Sequence, residues 1–176
     1  QSSHLSFSFS VIDIIRMGFY PNELLGATQN THLINKLLEV FDLDGYSERI
    51  YTTLSGGEKQ RVQLARVIAQ IWSEENLEGK LLILDEPTSY LDIKHQLLLF
   101  EFLKKMNEKG LTIITVLHDL NHAIMISDKI MLLKASKLIN YGTVSDIVNS
   151  EVLKNVFGVE LAVINDKDNR LFITFH

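Results

Sequence analysis

Two adjacent carboxylates, Asp85 and Glu86, follow directly on the continuous apolar run Leu81-Leu-Ile-Leu84. A run of that kind predicts a strand buried on both faces of a parallel sheet. Open α/β sheets bind ligands beyond the carboxyl ends of their strands, which is where these two acids would stand. Asp85 is suited to hold Mg²⁺ through its water shell, because magnesium dehydrates reluctantly. Glu86 is placed to orient and polarise a water for attack on phosphorus. The alternative is a strand end that is merely acidic. Pro87-Thr-Ser-Tyr-Leu-Asp92, directly afterwards, and His118, at the end of the next predicted strand, weigh against it. Two strands would then deliver Asp85, Glu86 and His118 to one sheet edge, where a histidine suits a phosphate sensor.

A second candidate lies upstream in Leu54-Ser-Gly-Gly-Glu-Lys-Gln-Arg61. Two glycines at a helix start let backbone N–H groups approach an anion closely, and the helix dipole adds roughly half a positive charge there. The Ser55 hydroxyl can donate to the same anion. Plain N-capping of a buried helix by Ser55 fits the tetrad equally well.

These groups need a scaffold, and the pattern of apolar residues supplies one. Ser10 to Met17 predicts a short capped helix, Gly18 to Thr31 a loop, and His32 to Phe41 a helix with apolar positions 33, 34, 37, 38 and 41. Asp42 to Thr53 is polar and turn-rich. Ser55 then opens a long, largely buried helix with apolar positions 62, 64, 65, 67, 68, 69, 71 and 72. Beyond the polar stretch Ser73–Gly79 and the 81–84 strand, helix and strand alternate: a helix over Asp92–Glu108, a β-branched strand over Thr112–Leu117, a helix over Asp119–Ser127, and strands over Lys129–Lys134 and Lys137–Tyr141. Short helices over Thr143–Asn149 and Glu151–Phe157 follow. A hairpin of Glu160–Ile164 and Arg170–Phe175 closes the chain. Alternation implies an α/β fold, a parallel sheet with helices on both faces. Three regions emerge: a helical part over 1–73, an α/β part over 74–158 and a β-hairpin tail over 159–176.

The bulk numbers are those of an ordinary α/β protein, with 46% hydrophobic and 22% charged residues in 176. A net charge of -5 argues against a nucleic-acid partner, since phosphate backbones require a basic face. With no cysteine, disulfides and thiolate metal sites are excluded. No apolar stretch reaches the roughly 18 residues that a membrane helix needs, and Gln1-Ser-Ser-His lacks the basic start of a signal peptide. The chain begins without Met, at a point that reads as mid-domain, so a truncated protein is expected.

Taken together the motifs resemble the ATP-binding subunits of ABC transporters. Leu54 to Arg66 looks like the ABC signature, Leu81–Glu86 the Walker B strand, Ser89–Asp92 the D-loop and His118 the switch histidine. Gln1, before Ser-Ser-His-Leu-Ser-Phe-Ser-Phe-Ser-Val11, matches the Q-loop glutamine. The resemblance covers nearly the whole chain and implies a P-loop NTPase-like sheet, truncated, plus a helical subdomain. It also implies ATP and Mg²⁺ as cofactors, with Glu86 and His118 catalytic. Asp85 and Gln1 would serve the metal. Ser55, Gly56, Gly57, Gln60, Gln1 and Asp92 would serve the nucleotide. Implied partners are a second ATPase subunit, head to tail, so that Ser55–Gly57 meet the γ-phosphate on its P-loop, and membrane permease subunits docked by the helical subdomain. A periplasmic or surface substrate-binding protein would take part indirectly. The implied location is peripheral, on the cytoplasmic face of the plasma (inner) membrane.

Gln1 to Val11, Leu64-Ala-Arg-Val-Ile-Ala-Gln-Ile-Trp72 and the polar insertion 73–80 resemble the haem branch of the iron–siderophore, haem and cobalamin importers. Ferric siderophore, cobalamin or a metal ion are alternative cargoes, and a soluble non-transport ABC protein is a more distant alternative. Two positions depart from the pattern. Tyr90 stands where the D-loop usually has a small residue, and Ser8 replaces a proline often found in the front motif. The P-loop pattern G-x-x-x-x-G-K-[ST] occurs nowhere in the 176 residues. The chain alone is therefore expected to bind ATP weakly and hydrolyse it negligibly. Apolar sheet edges bared by the missing strand are expected to drive self-association.

Overall fold

The structure, a computed structural model of the chain, describes residues 8–22, 27–72, 76–165, 167 and 171–175, of which 20–22, 27–30 and 175 by backbone alone. The chain divides into two compact units, Gln1–Val116 and Leu117–His176.

The first unit opens with α1 (Val11–Arg16), started by a capping box in which Ser10 and Asp13 satisfy each other's backbone N–H groups. A 3₁₀ turn over Met17–Asn22 and helix α2 (Ala27–Val40) follow. The helix begins earlier than the loop predicted through Thr31. Ala27 favours helix, and a polar first turn need not show apolar periodicity to be helical. A second 3₁₀ turn, Tyr51–Thr53, leads to α3 (Gly56–Ala69). Strand β1 (Leu81–Asp85), helix α4 (Ile93–Glu108) and strand β2 (Thr112–Val116) form a β-α-β crossover whose strands pair in parallel, with Leu81 opposite Thr112 and Asp85 opposite Val116.

The core of this unit joins the helices to one face of β1. Ile14 and Ile15 of α1, Leu37 of α2, Val62, Ala65 and Ile68 of α3, and Leu99 and Leu103 of α4 are buried together with Leu82 and Leu84. Phe102 bridges Phe41 at 5.5 Å and stacks on Trp72 at 5.7 Å. Burial on both faces, expected for β1, is not found. Leu81 and Ile83 are 50% and 64% exposed, and Ile114 and Val116 of β2 are exposed on the same sheet. β1 pairs only with β2 among the described residues, so the helices cover one side and side-chain alternation puts every second residue in solvent.

Gly18, in the first 3₁₀ turn, lies hard against α3. A Cβ there would stand 2.2 Å from the Arg66 carbonyl oxygen and 2.7 Å from Ala69 Cβ. Backbone cannot swing aside, so the 3₁₀ turn that follows α1 would have to separate from α3. Gly18→Ala is expected to destabilise the first unit by about 1–3 kcal/mol, read as a lower urea midpoint for the signals of α1 and α3. An unchanged midpoint would refute the close approach.

The second unit holds α5 (Leu120–Ile126), the antiparallel pair β3 (Lys129–Lys134) and β4 (Lys137–Thr143), α6 (Val144–Ile147), α7 (Ser150–Phe157) and the hairpin β5 (Leu161–Asn165) with β6 (Leu171–Phe175). Ala135 and Ser136 both have positive φ, 48° and 60°, the geometry that matches a two-residue turn to strand twist. Leu132, Ile147, Leu153, Val156, Leu161 and Ile173 form its separate core. The Asn121 carboxamide exchanges two hydrogen bonds with the backbone of Ile173, at 3.1 and 2.8 Å, tying α5 to the hairpin.

Candidate nucleotide-facing site

The end of β1 carries the acids outward. Asp85 closes the strand opposite Val116, and Glu86 continues the ladder by donating its N–H to the Val116 carbonyl at 3.0 Å. Both residues are exposed. Glu86 has φ +45°, a left-handed conformation that a non-glycine residue holds only where its surroundings impose it. Here the imposition is visible. The ladder bond fixes its N–H, Ser89 N–H donates to its carbonyl at 3.1 Å, and Ser89 Oγ donates to its Oε2 at 3.2 Å.

The turn after the acids is braced from two helices. Gln60 of α3 donates its side-chain N–H to the Pro87 carbonyl at 3.2 Å. Gln96 of α4 reaches back to the Thr88 and Leu91 carbonyls at 3.4 and 3.1 Å. Thr88 is buried, and Tyr90, also left-handed at φ +66°, is 81% exposed. Gln60, assigned above to the nucleotide, thus spends a carboxamide N–H on this turn. Gln96 was not singled out in the sequence, where its only signal is standing four residues beyond the cap of its own helix.

Ser55 caps α3 in a reciprocal box. Its Oγ accepts from Glu58 N–H at 3.3 Å, while Glu58 Oε2 accepts from Ser55 N–H at 2.7 Å. These bonds hold the Glu58 carboxyl below its ordinary range, the Ser55 backbone N–H being the largest cause. The capping alternative for Ser55 is therefore real, yet it leaves the backbone anion-binding groups available. Among the described residues neither Gly56 nor Gly57 N–H has a partner, whereas the Ser55 hydroxyl also donates to the Glu58 carboxylate. The start of α3 abuts the turn after the acids: a Cβ on Gly57 would lie 2.7 Å from the Tyr90 carbonyl oxygen, and one on Gly56 3.6 Å from the Tyr90 ring.

Asp92 caps α4, accepting from His95 N–H at 2.9 Å and facing His95 Nδ1 at 2.7 Å. The backbone bond first, and the ring contact second, hold its carboxyl below the ordinary range. The first unit thus brings together Ser55, Gly56, Gly57, Gln60, Asp85, Glu86 and Asp92. His118 is exposed and lies in the second unit, just before Asp119, the cap of α5. Gln1 lies outside the described residues.

The donor set suits the implied cofactors. Among the described residues no group of three or more His, Asp or Glu side chains could cage a metal. Mg²⁺ needs no cage, because it takes one or two carboxylates and completes its shell with water and phosphate oxygens. An exposed Asp85 fits that mode, and unpaired amides at a helix start fit a phosphate. Among the described residues no helix is long and apolar enough to cross a membrane.

Comparison with known proteins agrees with these features. The ABC transporter family model matches residues 4–89, which include the signature helix and the acid pair. The hemin import ATP-binding protein HmuV of Escherichia coli O157:H7 is 38% identical over 170 residues, covering 96% of this chain and 65% of that protein. HmuV of Rhizobium meliloti (strain 1021) is 40% identical over 166 residues, covering 93% of this chain and 62% of that protein. The chain thus spans less than two thirds of the length of these relatives. Among solved structures, an inward-facing metal-chelate type ABC transporter superposes with a TM-score of 0.76 at 27% identity, over 100% of this chain and 69% of that one. CbiO1 of Clostridium perfringens, part of the transporter complex cbiONQ, gives 0.63 at 26% identity, over 85% of this chain and 57% of that one. With its signature helix and strand-end acids set in the α/β arrangement of these structures, the chain belongs to the ABC transporter family.

Proposed function

We propose that this chain is the signature-bearing part of an ATP-hydrolysing subunit that energises haemin import through a membrane permease. The observation that carries the reading is the start of α3, where the Gly56 and Gly57 N–H groups have no partner among the described residues and stand beside the braced turn after the acids. That surface presents phosphate donors without a P-loop of its own, which suits a nucleotide held by a second subunit, head to tail. Ser55, Gly56 and Gly57 donate to the γ-phosphate, and their preorganised dipoles stabilise the charge that spreads over it during transfer. Mg²⁺, when bound, neutralises charge on the phosphates. Asp85 supports its water shell. Glu86 accepts a proton from the attacking water and orients it. Asp92 and Gln60 set the turn against the signature, Gln1 contacts the metal, and His118 senses the phosphate.

We read residues 1–73 as the permease-docking helical subdomain, 74–158 as the catalytic α/β part and 159–176 as the tail. The complex would sit on the cytoplasmic face of the inner membrane, with a substrate-binding protein acting indirectly. Haemin as cargo is supported by 38–40% identity to the hemin import proteins. A second reading, with a metal chelate as cargo, is supported by the likeness to the metal-chelate type transporter.

The test is a comparison of two proteins. The 176-residue chain alone should show negligible ATP hydrolysis. The same chain joined behind the P-loop segment of the Escherichia coli HmuV relative should turn ATP over, and faster with a haemin permease than with a siderophore permease. Turnover by the chain alone, or none from the joined protein, would sink the proposal.

A further inference from the structure

We infer that His95 is a positioning residue that locks the signature helix to the D-loop cap by bridging Arg61 and Asp92. This rests on the reading of both elements as nucleotide-facing. Arg61, one turn into α3 from Gly57, is buried, an unusual place for a guanidinium. Its Nη1 donates to the Phe41 and Asp42 carbonyls at 3.1 and 2.6 Å and meets His95 Nε2 at 2.9 Å. A guanidinium is a donor only, and the two Nη1 protons are shared among these three acceptors, so in this contact Nε2 accepts. The ring proton then sits on Nδ1, 2.7 Å from Asp92 Oδ1, which is an acceptor. One neutral tautomer satisfies both ends, and the bonds run in a single direction from Arg61 through His95 to Asp92.

The charged groups facing the ring come from every element around it. They are Arg61 from α3, Asp42 from the turn after α2, and Asp92 from the cap of α4; Lys94 binds the same Asp42 oxygen at 2.8 Å. Asp42 Oδ2 lies 3.2 Å from Nε2 and would receive a second ring proton. Nε2 would then be turned from acceptor to donor and its bond from Arg61 lost. Apolar side chains such as Phe41, Leu64, Leu91 and Leu99 also line this spot, so a leucine would find packing partners there, but it would leave the buried Arg61 and the Asp92 carboxylate without their ring partner. A polar bridge here instead fixes how α3 stands against the start of α4. Those are the two elements that present Ser55–Gly57 and Asp92.

Two measurements test this. In the 176-residue chain labelled with ¹⁵N-histidine, two-bond spectra at neutral pH should show His95 as the Nδ1–H tautomer; the Nε2–H tautomer would overturn the inference. His95→Gln can give its amide N–H to Asp92 and its amide oxygen to Arg61, whereas His95→Leu can do neither. Backbone amides of Ser55–Glu58 should shift in the Leu variant and stay near their positions in the Gln variant. In the P-loop-joined protein, Gln should keep turnover within about threefold while Leu lowers it about tenfold or more, the size of a contact-level coupling. Equal behaviour of the two variants overturns the bridge. Should the Leu variant not fold, the tautomer and the Gln variant's turnover decide. If the joined parent hydrolyses no ATP, the ATPase reading fails, while the tautomer and amide shifts still judge the bridge.

Discussion

Glu86→Gln in the P-loop-joined protein is expected to lower ATP turnover by roughly 10²–10⁴ while nucleotide binding persists, the usual share of a positioned acid–base group. The structure makes the substitution unusually clean. The Glu86 backbone is set by the Val116 and Ser89 bonds, which do not involve the carboxylate. Gln keeps an oxygen able to accept from Ser89 Oγ, so the left-handed turn and the brace from Gln60 should survive. What Gln lacks is the basicity to take a proton from water. Single-turnover hydrolysis and nucleotide retention on the same sample separate the two effects. Unchanged turnover would remove Glu86 from the chemistry and leave Asp85, or the substrate itself, to receive the proton.

The second large effect is expected at Gly57, and Gly56 serves as its internal control. A methyl on Gly57 runs into the Tyr90 carbonyl at 2.7 Å, a backbone atom in a turn held by Gln60, Gln96 and the Thr88–Leu91 bond. Relief requires α3 to rotate or the turn to move, and either displaces the Gly56 and Gly57 amides from the phosphate. Hydrogen-bond donors aimed at developing charge lose their value over such shifts, and losing one costs about 10²–10³ in rate. Gly57→Ala should therefore lower turnover by about 10²-fold. At Gly56 the nearest atom is the Tyr90 ring at 3.6 Å, ordinary contact with a side chain that is itself exposed. Gly56→Ala should keep most of the turnover. Equal losses at the two glycines would mean that the signature depends on flexibility at both positions and not on the approach to Tyr90.

Much of this was legible in local sequence, because local sequence encodes period and capping. The helix starts at Ser10, Ser55, Asp92 and Asp119 and the strand formed by the apolar run before Asp85 depend on a few neighbouring residues and were placed to within one residue. The strand–helix alternation and the closing hairpin were legible there too. The acid pair, the signature and the absence of a P-loop motif from these 176 residues are likewise properties of the string itself.

Tertiary structure decided what depends on neighbours far along the chain. Ile83 and Leu84 look equally apolar in the sequence, yet only the covered face of a two-stranded sheet buries its residues. Nothing local marks Gln60 as a brace for a turn 27 residues away, or His95 as the meeting point of Arg61 and Asp42, 34 and 53 residues distant. The left-handed backbone at Glu86 and Tyr90 is imposed by β2, α3 and α4 rather than by residue type. Side-chain hydrogen bonds of this reach depend on how two helices are rotated and offset against each other. Periodicity names the buried face of each helix but leaves the offset open, and packing supplies it.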